Sequence, residues 1–173
     1  MGTVLKRWRR WAVEALIVVA IVAAIQLWQA RGLPEGPAPA LAGSLLDGRP
    51  ASLADTVATA GGKPVLVAFW ATWCPICKAE AGTLDDIAGD TPFLGVAMQS
   101  GAAPEVSRYL HERGHRFATL DDADGRLAAT WRVIGVPTHF IVDGHGNIRF
   151  RVVGYASAWG LRARLWWAAK FPQ

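Results

Sequence analysis

The chain carries two cysteines, and both lie in Cys74-Pro75-Ile76-Cys77, within the segment Phe69 to Lys78 (FWATWCPICK). Two thiols separated by two residues at a helix start can reach one another, so the pair can cycle between dithiol and disulfide while the backbone stays in place. If Cys74 caps the helix and Pro75 is its first residue, the free amides of Ile76 and Cys77 point at the Cys74 sulfur. Those donors and the helix dipole favour a thiolate over a thiol. Cys74 is therefore the expected nucleophile. Cys77, one turn further on and more enclosed, is expected to resolve the mixed disulfide by attacking Cys74 and releasing the partner's thiol.

Other uses of two cysteines fit less well. A disulfide closing so short a loop would stabilise little. A metal site would need further ligands, and His111, His115, His139 and His145 show no clustered spacing with the cysteines. No cofactor is expected and no metal-binding residue is assigned. Two soft thiolates could still handle Cu(I), which leaves a copper-handling dithiol as an alternative, with a disulfide oxidase or isomerase as another. A peroxidatic cysteine normally follows Pro-x-x-x-Thr/Ser-x-x-Cys, whereas Ala71 stands three residues before Cys74.

The elements that must position the pair are legible around it. Pro64 to Trp70 (PVLVAFW) is a continuous apolar run of β-formers, as expected for a central strand covered on both faces. A helix is expected from Cys74 to near Gly89, a second buried strand over Phe93 to Met98, and helices over Ala103 to Arg113 and Asp124 to Trp131. Thr138 to Val142 and Asn147 to Val153, joined by Asp143-Gly144-His145-Gly146, read as a hairpin. Ser157 to Phe171 closes the chain as a capped helix. Short apolar stretches around Asp47-Gly48 suggest a small hairpin within Leu41 to Leu53. Strand, helix, strand, helix, hairpin, helix is an α/β order.

The 173 residues, 52% of them hydrophobic, suffice for one domain with an appendage. The formal charge of +4 raises nucleic acid as a partner. From Arg31 onward, however, 14 basic residues face 13 acidic ones, so the excess belongs to Lys6, Arg7, Arg9 and Arg10, and no nucleic-acid partner is expected. Residues 11–29 are almost wholly apolar, and at ~1.5 Å per residue they approach the roughly 30 Å of a bilayer's hydrocarbon core. A basic cytoplasmic segment (1–10), a transmembrane anchor (11–29), a Pro/Gly-rich linker (30–40) and a folded domain (41–173) are therefore expected. The competing reading of the apolar segment is a cleaved signal peptide; in either case the domain is exported.

FWATWCPIC followed 60 residues later by GVPTHFIVD resembles the membrane-anchored, thioredoxin-like disulfide oxidoreductases of bacteria, the group around TlpA, ResA and DsbE, and most of all its ScsD-like members. The resemblance covers roughly Leu41 to Lys170. It implies a thioredoxin-like fold, a central mixed β-sheet flanked by helices with an N-terminal β-hairpin extension, preceded by one transmembrane helix. It also implies a cis-proline at Pro137 opposite the dithiol, with the Val136 backbone beside it able to pair with a substrate strand. Trp73, Pro75, Ile76, Val136 and Pro137 are then the expected substrate-binding residues, and Cys74 and Cys77 the catalytic ones. Trp70 and Trp73 match aromatic positions that shape the rim. The implied partners are exported proteins with disulfides and a membrane reductase as electron donor; the implied location is the bacterial inner membrane, single-pass, with the N-terminus cytoplasmic and the domain periplasmic. The implied direction is reductive.

The chain also departs from classical thioredoxins, with Ala68 where a buried acid assists the second thiol, and Gln99-Ser100-Gly101 where some relatives place acids. Glu80, Asp85 and Asp86 are expected on a solvated helix face, which leaves water or substrate to accept the Cys77 proton. Titration of thiolate absorbance should place the Cys74 midpoint below the ordinary free-thiol value; a midpoint at or above that value overturns the expected activation.

Overall fold

The computed structural model describes residues 31–171, together with positions 7, 8, 11, 13, 14, 16, 17, 20, 21, 24 and 25, which are helical and exposed. In chain order the folded part comprises β1 (Gly36–Pro37), β2 (Ala42–Ser44), β3 (Pro50–Ser52), α1 (Leu53–Thr59), β4 (Val65–Trp70), α2 (Pro75–Ala88) and β5 (Phe93–Met98). These are followed by α3 (Ala103–Glu112), β6 (Thr119–Asp122), α4 (Arg126–Thr130), β7 (Thr138–Val142), β8 (Asn147–Val153) and α5 (Ala158–Lys170).

Six strands form one mixed sheet in the order β1-β8-β7-β4-β5-β6, and β2 and β3 form a separate hairpin. β4 is its centre, parallel to β5 and antiparallel to β7. Every residue of β4 is buried, because helices cover both faces. Leu66, Ala68 and Trp70 alternate into one core with α2, α3 and α5, while Val65, Val67 and Phe69 enter the other with α1 and α4. A strand buried on both sides has no solvated face, which is why its sequence lacks polar alternation.

The thioredoxin-like α/β expectation is met, but its transmembrane part is not. Among the described residues no helix is long and apolar enough to cross a membrane. Most of the expected span at 11–29, and of the basic segment at 1–10, lies outside the described residues.

The segment expected as an extended linker differs as well. Gly36 and Pro37 pair with Ile148 and Asn147 of β8, and Leu33 is buried. Arg151 bonds the Leu33 carbonyl at 3.2 Å and pairs with Glu35 at 2.6 Å. Proline-rich composition indicates an extended backbone, and an extended backbone can serve as an edge strand as readily as a tether.

α1 and β6 were not anticipated. Ser52 caps α1 by accepting the Asp55 N–H at 3.0 Å. β6 ends at Asp122, whose buried carboxylate accepts the N–H groups of Leu127 at 2.8 Å and Ala128 at 3.0 Å and so fixes the start of α4. Burial pushes the Asp122 carboxyl above the ordinary aspartate value, against the pull of those two N–H groups. A raised folded-state value means that the group's contribution to stability is complete below the unfolded value and is lost as pH rises through the folded one. In urea denaturation, Asp122→Ala should cost about 1–3 kcal/mol by stranding two buried donors. The stability advantage of wild type over Asp122→Asn should be larger at pH 4 than at pH 7; an advantage that grows with pH would refute the sign.

Candidate functional site

β4 runs into the turn Ala71-Thr72-Trp73, and the chain reverses at Cys74 to begin α2. Cys74 is the N-cap, with extended backbone, and Pro75 takes the first helical position, where a missing N–H costs nothing. The turn is pinned to the loop after β5: the Thr72 N–H donates to Ser100 Oγ at 3.1 Å, and Trp73 Nε1 donates to the Gln99 carbonyl at 3.0 Å. Gln99-Ser100-Gly101 supplies no acid, but it holds the active-site turn.

Cys74 and Cys77 are joined by a disulfide, with their Cα atoms 5.2 Å apart. The Cys77 N–H donates to Cys74 Sγ at 3.1 Å. Of the two amides expected at that sulfur, this is the one that reaches it; Ile76 makes no hydrogen bond there among the described residues. The carbonyl oxygen of Val136 lies 3.5 Å from Cys74 Sγ, and the Val136–Pro137 bond is cis. The two motifs, 60 residues apart in sequence, therefore meet at one sulfur.

Both cysteines are 3% exposed, so in the disulfide Cys74 is no more open than Cys77. The surface around them is open and apolar. Trp73 is 54% exposed, Ile76 47%, and Ile134, two residues before Val136, 98%. Pro75 is exposed as well, Val136 is half-buried and Pro137 is buried. Trp70 belongs to the core rather than the rim: it is buried against Phe117 and Tyr109, and Gly95 leaves room beside its indole nitrogen.

A further departure from the sequence expectation lies on the buried face of α2. Glu80, expected on a solvated face, is fully buried. Its Oε1 accepts the Ala156 N–H at 3.0 Å, and both its oxygens lie 3.1 Å from His139 Nε2. Cys77, Glu80, Ala81, Leu84 and Ile87 form the buried stripe of α2, so the carboxylate shares a helix face with Cys77, three residues away. Asp85 is half-buried, accepting the Arg116 N–H at 2.8 Å and facing His115 at 3.5 Å, and only Asp86 is exposed. Among the described residues no group of three or more His, Cys, Asp or Glu side chains could hold a metal ion.

A dithiol at the N-terminus of a helix following the central strand, faced by a cis-proline loop, defines a thioredoxin-like thiol–disulfide oxidoreductase. The chain belongs to the AhpC/TSA family, whose model matches residues 34–151. It is 35% identical over 167 residues to the thiol:disulfide interchange protein DsbE of Escherichia coli (strain K12), covering 87% of this chain and 86% of that one. A thiol:disulfide interchange protein of the thioredoxin family from Chlorobium tepidum TLS superposes with a TM-score of 0.66 at 26% identity, covering 79% of this chain and 97% of that one. A secreted Mycobacterium tuberculosis disulfide oxidoreductase homologous to E. coli DsbE gives 0.61 at 27%, covering 72% and 93%.

With the 54% exposed Trp73 ring as the expected substrate contact, Trp73→Ala should raise KM for a protein disulfide about threefold or more while leaving reaction with a small dithiol unchanged. Equal losses with both would show that the ring supports the turn instead.

Proposed function

We propose that this oxidoreductase works outside the cytoplasm, reducing disulfides in exported proteins with electrons received from a membrane reductase. The observation that carries this reading is the exposed apolar side chains of Trp73 and Ile76 beside a nearly buried sulfur pair, with exposed Ile134 two residues before the Val136 carbonyl that faces it. Such a surface suits a protein partner that presses onto the site; a small thiol would gain nothing from it. Export is supported by the basic-then-apolar start of the sequence and by the secreted relative from Mycobacterium tuberculosis. Reduction is supported by the resemblance to the TlpA, ResA and DsbE group.

In the reductive direction, the Cys74 thiolate attacks one sulfur of the substrate disulfide. That S–S bond breaks, a bond between Cys74 and substrate forms, and the other substrate sulfur leaves as a thiolate. Cys77 then loses its proton, attacks Cys74 Sγ and expels the second substrate thiolate. The substrate gains two electrons, and the protein becomes the Cys74–Cys77 disulfide. Glu80 is the acceptor for the Cys77 proton, being the carboxylate on the same face of α2. Val136, with its carbonyl beside Cys74, offers backbone to an extended substrate segment.

Cys77→Ala removes the resolving thiol, so the variant should accumulate mixed disulfides through Cys74 with exported proteins. Failure to trap any would refute the proposal. The redox potential checks the direction: a value near the roughly −120 mV of strong oxidants would reverse it.

A further inference from the structure

The sheet buries one histidine completely, and the exchange steps given above do not yet use it. His139 sits in β7 between Ala68 of β4 and Val152 of β8, and it is 0% exposed. Its Nε2 is equidistant, at 3.1 Å, from both oxygens of Glu80, while its Nδ1 has no hydrogen-bond partner. An imidazolium, or the Nδ1–H tautomer, would leave a buried N–H without an acceptor; the neutral Nε2–H tautomer leaves only an unpaired lone pair, the smaller penalty. The ring is therefore a fixed donor aimed at the carboxylate.

We propose that His139 is a positioning residue for the resolution step, holding the Glu80 carboxylate against the Cys77 face of α2 in both of its protonation states. This rests on the exchange chemistry given above and assigns the residue that keeps its proton acceptor in place. The geometry is specific. Oε1 already receives the Ala156 N–H, which leaves Oε2 to take a proton. Because Nε2 is within reach of either oxygen, its hydrogen bond survives by shifting to Oε1 when Oε2 is protonated. A single well-aimed bond to one oxygen would not have that tolerance.

The step balances as follows. Cys77 Sγ–H gives its proton to Glu80, and the Cys77 thiolate attacks Cys74 Sγ. The Cys74–Cys77 bond forms as the Cys74–substrate bond breaks, and the substrate sulfur leaves with the electron pair. That sulfur is protonated by solvent, Glu80 later loses its proton, and His139 is neutral throughout. The neighbours facing the pair across the sheet and ahead of α5, Ala68, Val152 and Ala156, carry no titratable side chain, and Cys77 is the ionisable group that shares the buried stripe of α2 with Glu80.

Stopped-flow reaction of the full-length reduced protein with 5,5′-dithiobis(2-nitrobenzoate) separates the steps, because attack by Cys74 and resolution by Cys77 each release one coloured thiolate. His139→Leu should leave the first phase unchanged and slow the second about tenfold or more at neutral pH, with the deficit closing at high pH as Cys77 ionises unaided. His139→Gln, which retains an N–H donor, should recover most of the second phase. A folded His139→Leu protein with a wild-type second phase at every pH, or with both phases slowed alike, would overturn the inference. On wild-type protein, ring ¹⁵N shifts should report neutral Nε2–H His139 in both the oxidised and reduced states; an imidazolium or an Nδ1–H ring in either state would overturn it without any variant. If Cys77→Ala traps partners while His139→Leu behaves as wild type, the positioning role fails and the proposed function stands; a missing first phase would sink both.

Discussion

The first amides of α2 have no carbonyl to pair with, and the structure turns that deficit toward a sulfur. Cys74 occupies the cap and takes the Cys77 N–H at 3.1 Å, while Pro75 removes an amide that would otherwise be orphaned. The other features of the site keep this cap where a partner can use it. β4 delivers the chain from the centre of the sheet, the Gln99-Ser100 loop pins the approach, and the cis-proline loop closes the opposite side. The reactive atom thus sits at the junction of a strand buried along its whole length and the 14-residue helix α2, so exchange of a covalent bond requires little rearrangement of the fold.

Beneath the cap, the protein answers a problem that classical thioredoxins solve from the strand. With Ala68 on β4, no acid rises from that position. The carboxylate comes from the helix, and the neighbouring strand β7 supplies its donor. Ala68 and His139 are cross-strand partners, so the small side chain leaves space for the ring that reaches Glu80. A satisfied polar pair in a low-dielectric core is held more firmly than an exposed one, because either partner alone would be stranded.

Much of this was legible from residue order. The runs 64–70 and 93–98, the hairpin around Asp143-Gly144 and the helix from Cys74 were each marked by periodicity or turn chemistry and occur where expected. Glu80 was misplaced because a glutamate defaults to solvent, although it falls within the stripe Cys77, Ala81, Leu84, Ile87 that the helical period puts inside. His139 gave a parallel signal as a lone polar ring in a run of buried strand residues. Neither position reveals its partner, because pairing α2 with β7 depends on three-dimensional packing. β1 was hidden for a different reason: two residues carry no period, and only the register against β8 identifies them. The apolar segment at 11–29 had suggested a membrane crossing that the described helices do not provide.

The brief pairing of Gly36 and Pro37 with β8 has a consequence for an oxidoreductase whose substrates are themselves proteins. Exposed sheet margins invite strand-by-strand accretion, and a client with free β-segments is the hazard. On one margin a two-residue strand ending in proline offers almost no ladder to extend. On the other, β6 is overlaid through Leu45 opposite Leu120 and the Leu46 N–H bonded to Thr119. The ladder is thus interrupted at Asn147 and Ile148 on one margin and overlaid on the other, while the Val136 carbonyl stands 3.5 Å from Cys74 Sγ, so a chain that pairs there instead meets a sulfur whose bond to it the second cysteine can dissolve, and the encounter stays reversible instead of seeding an aggregate.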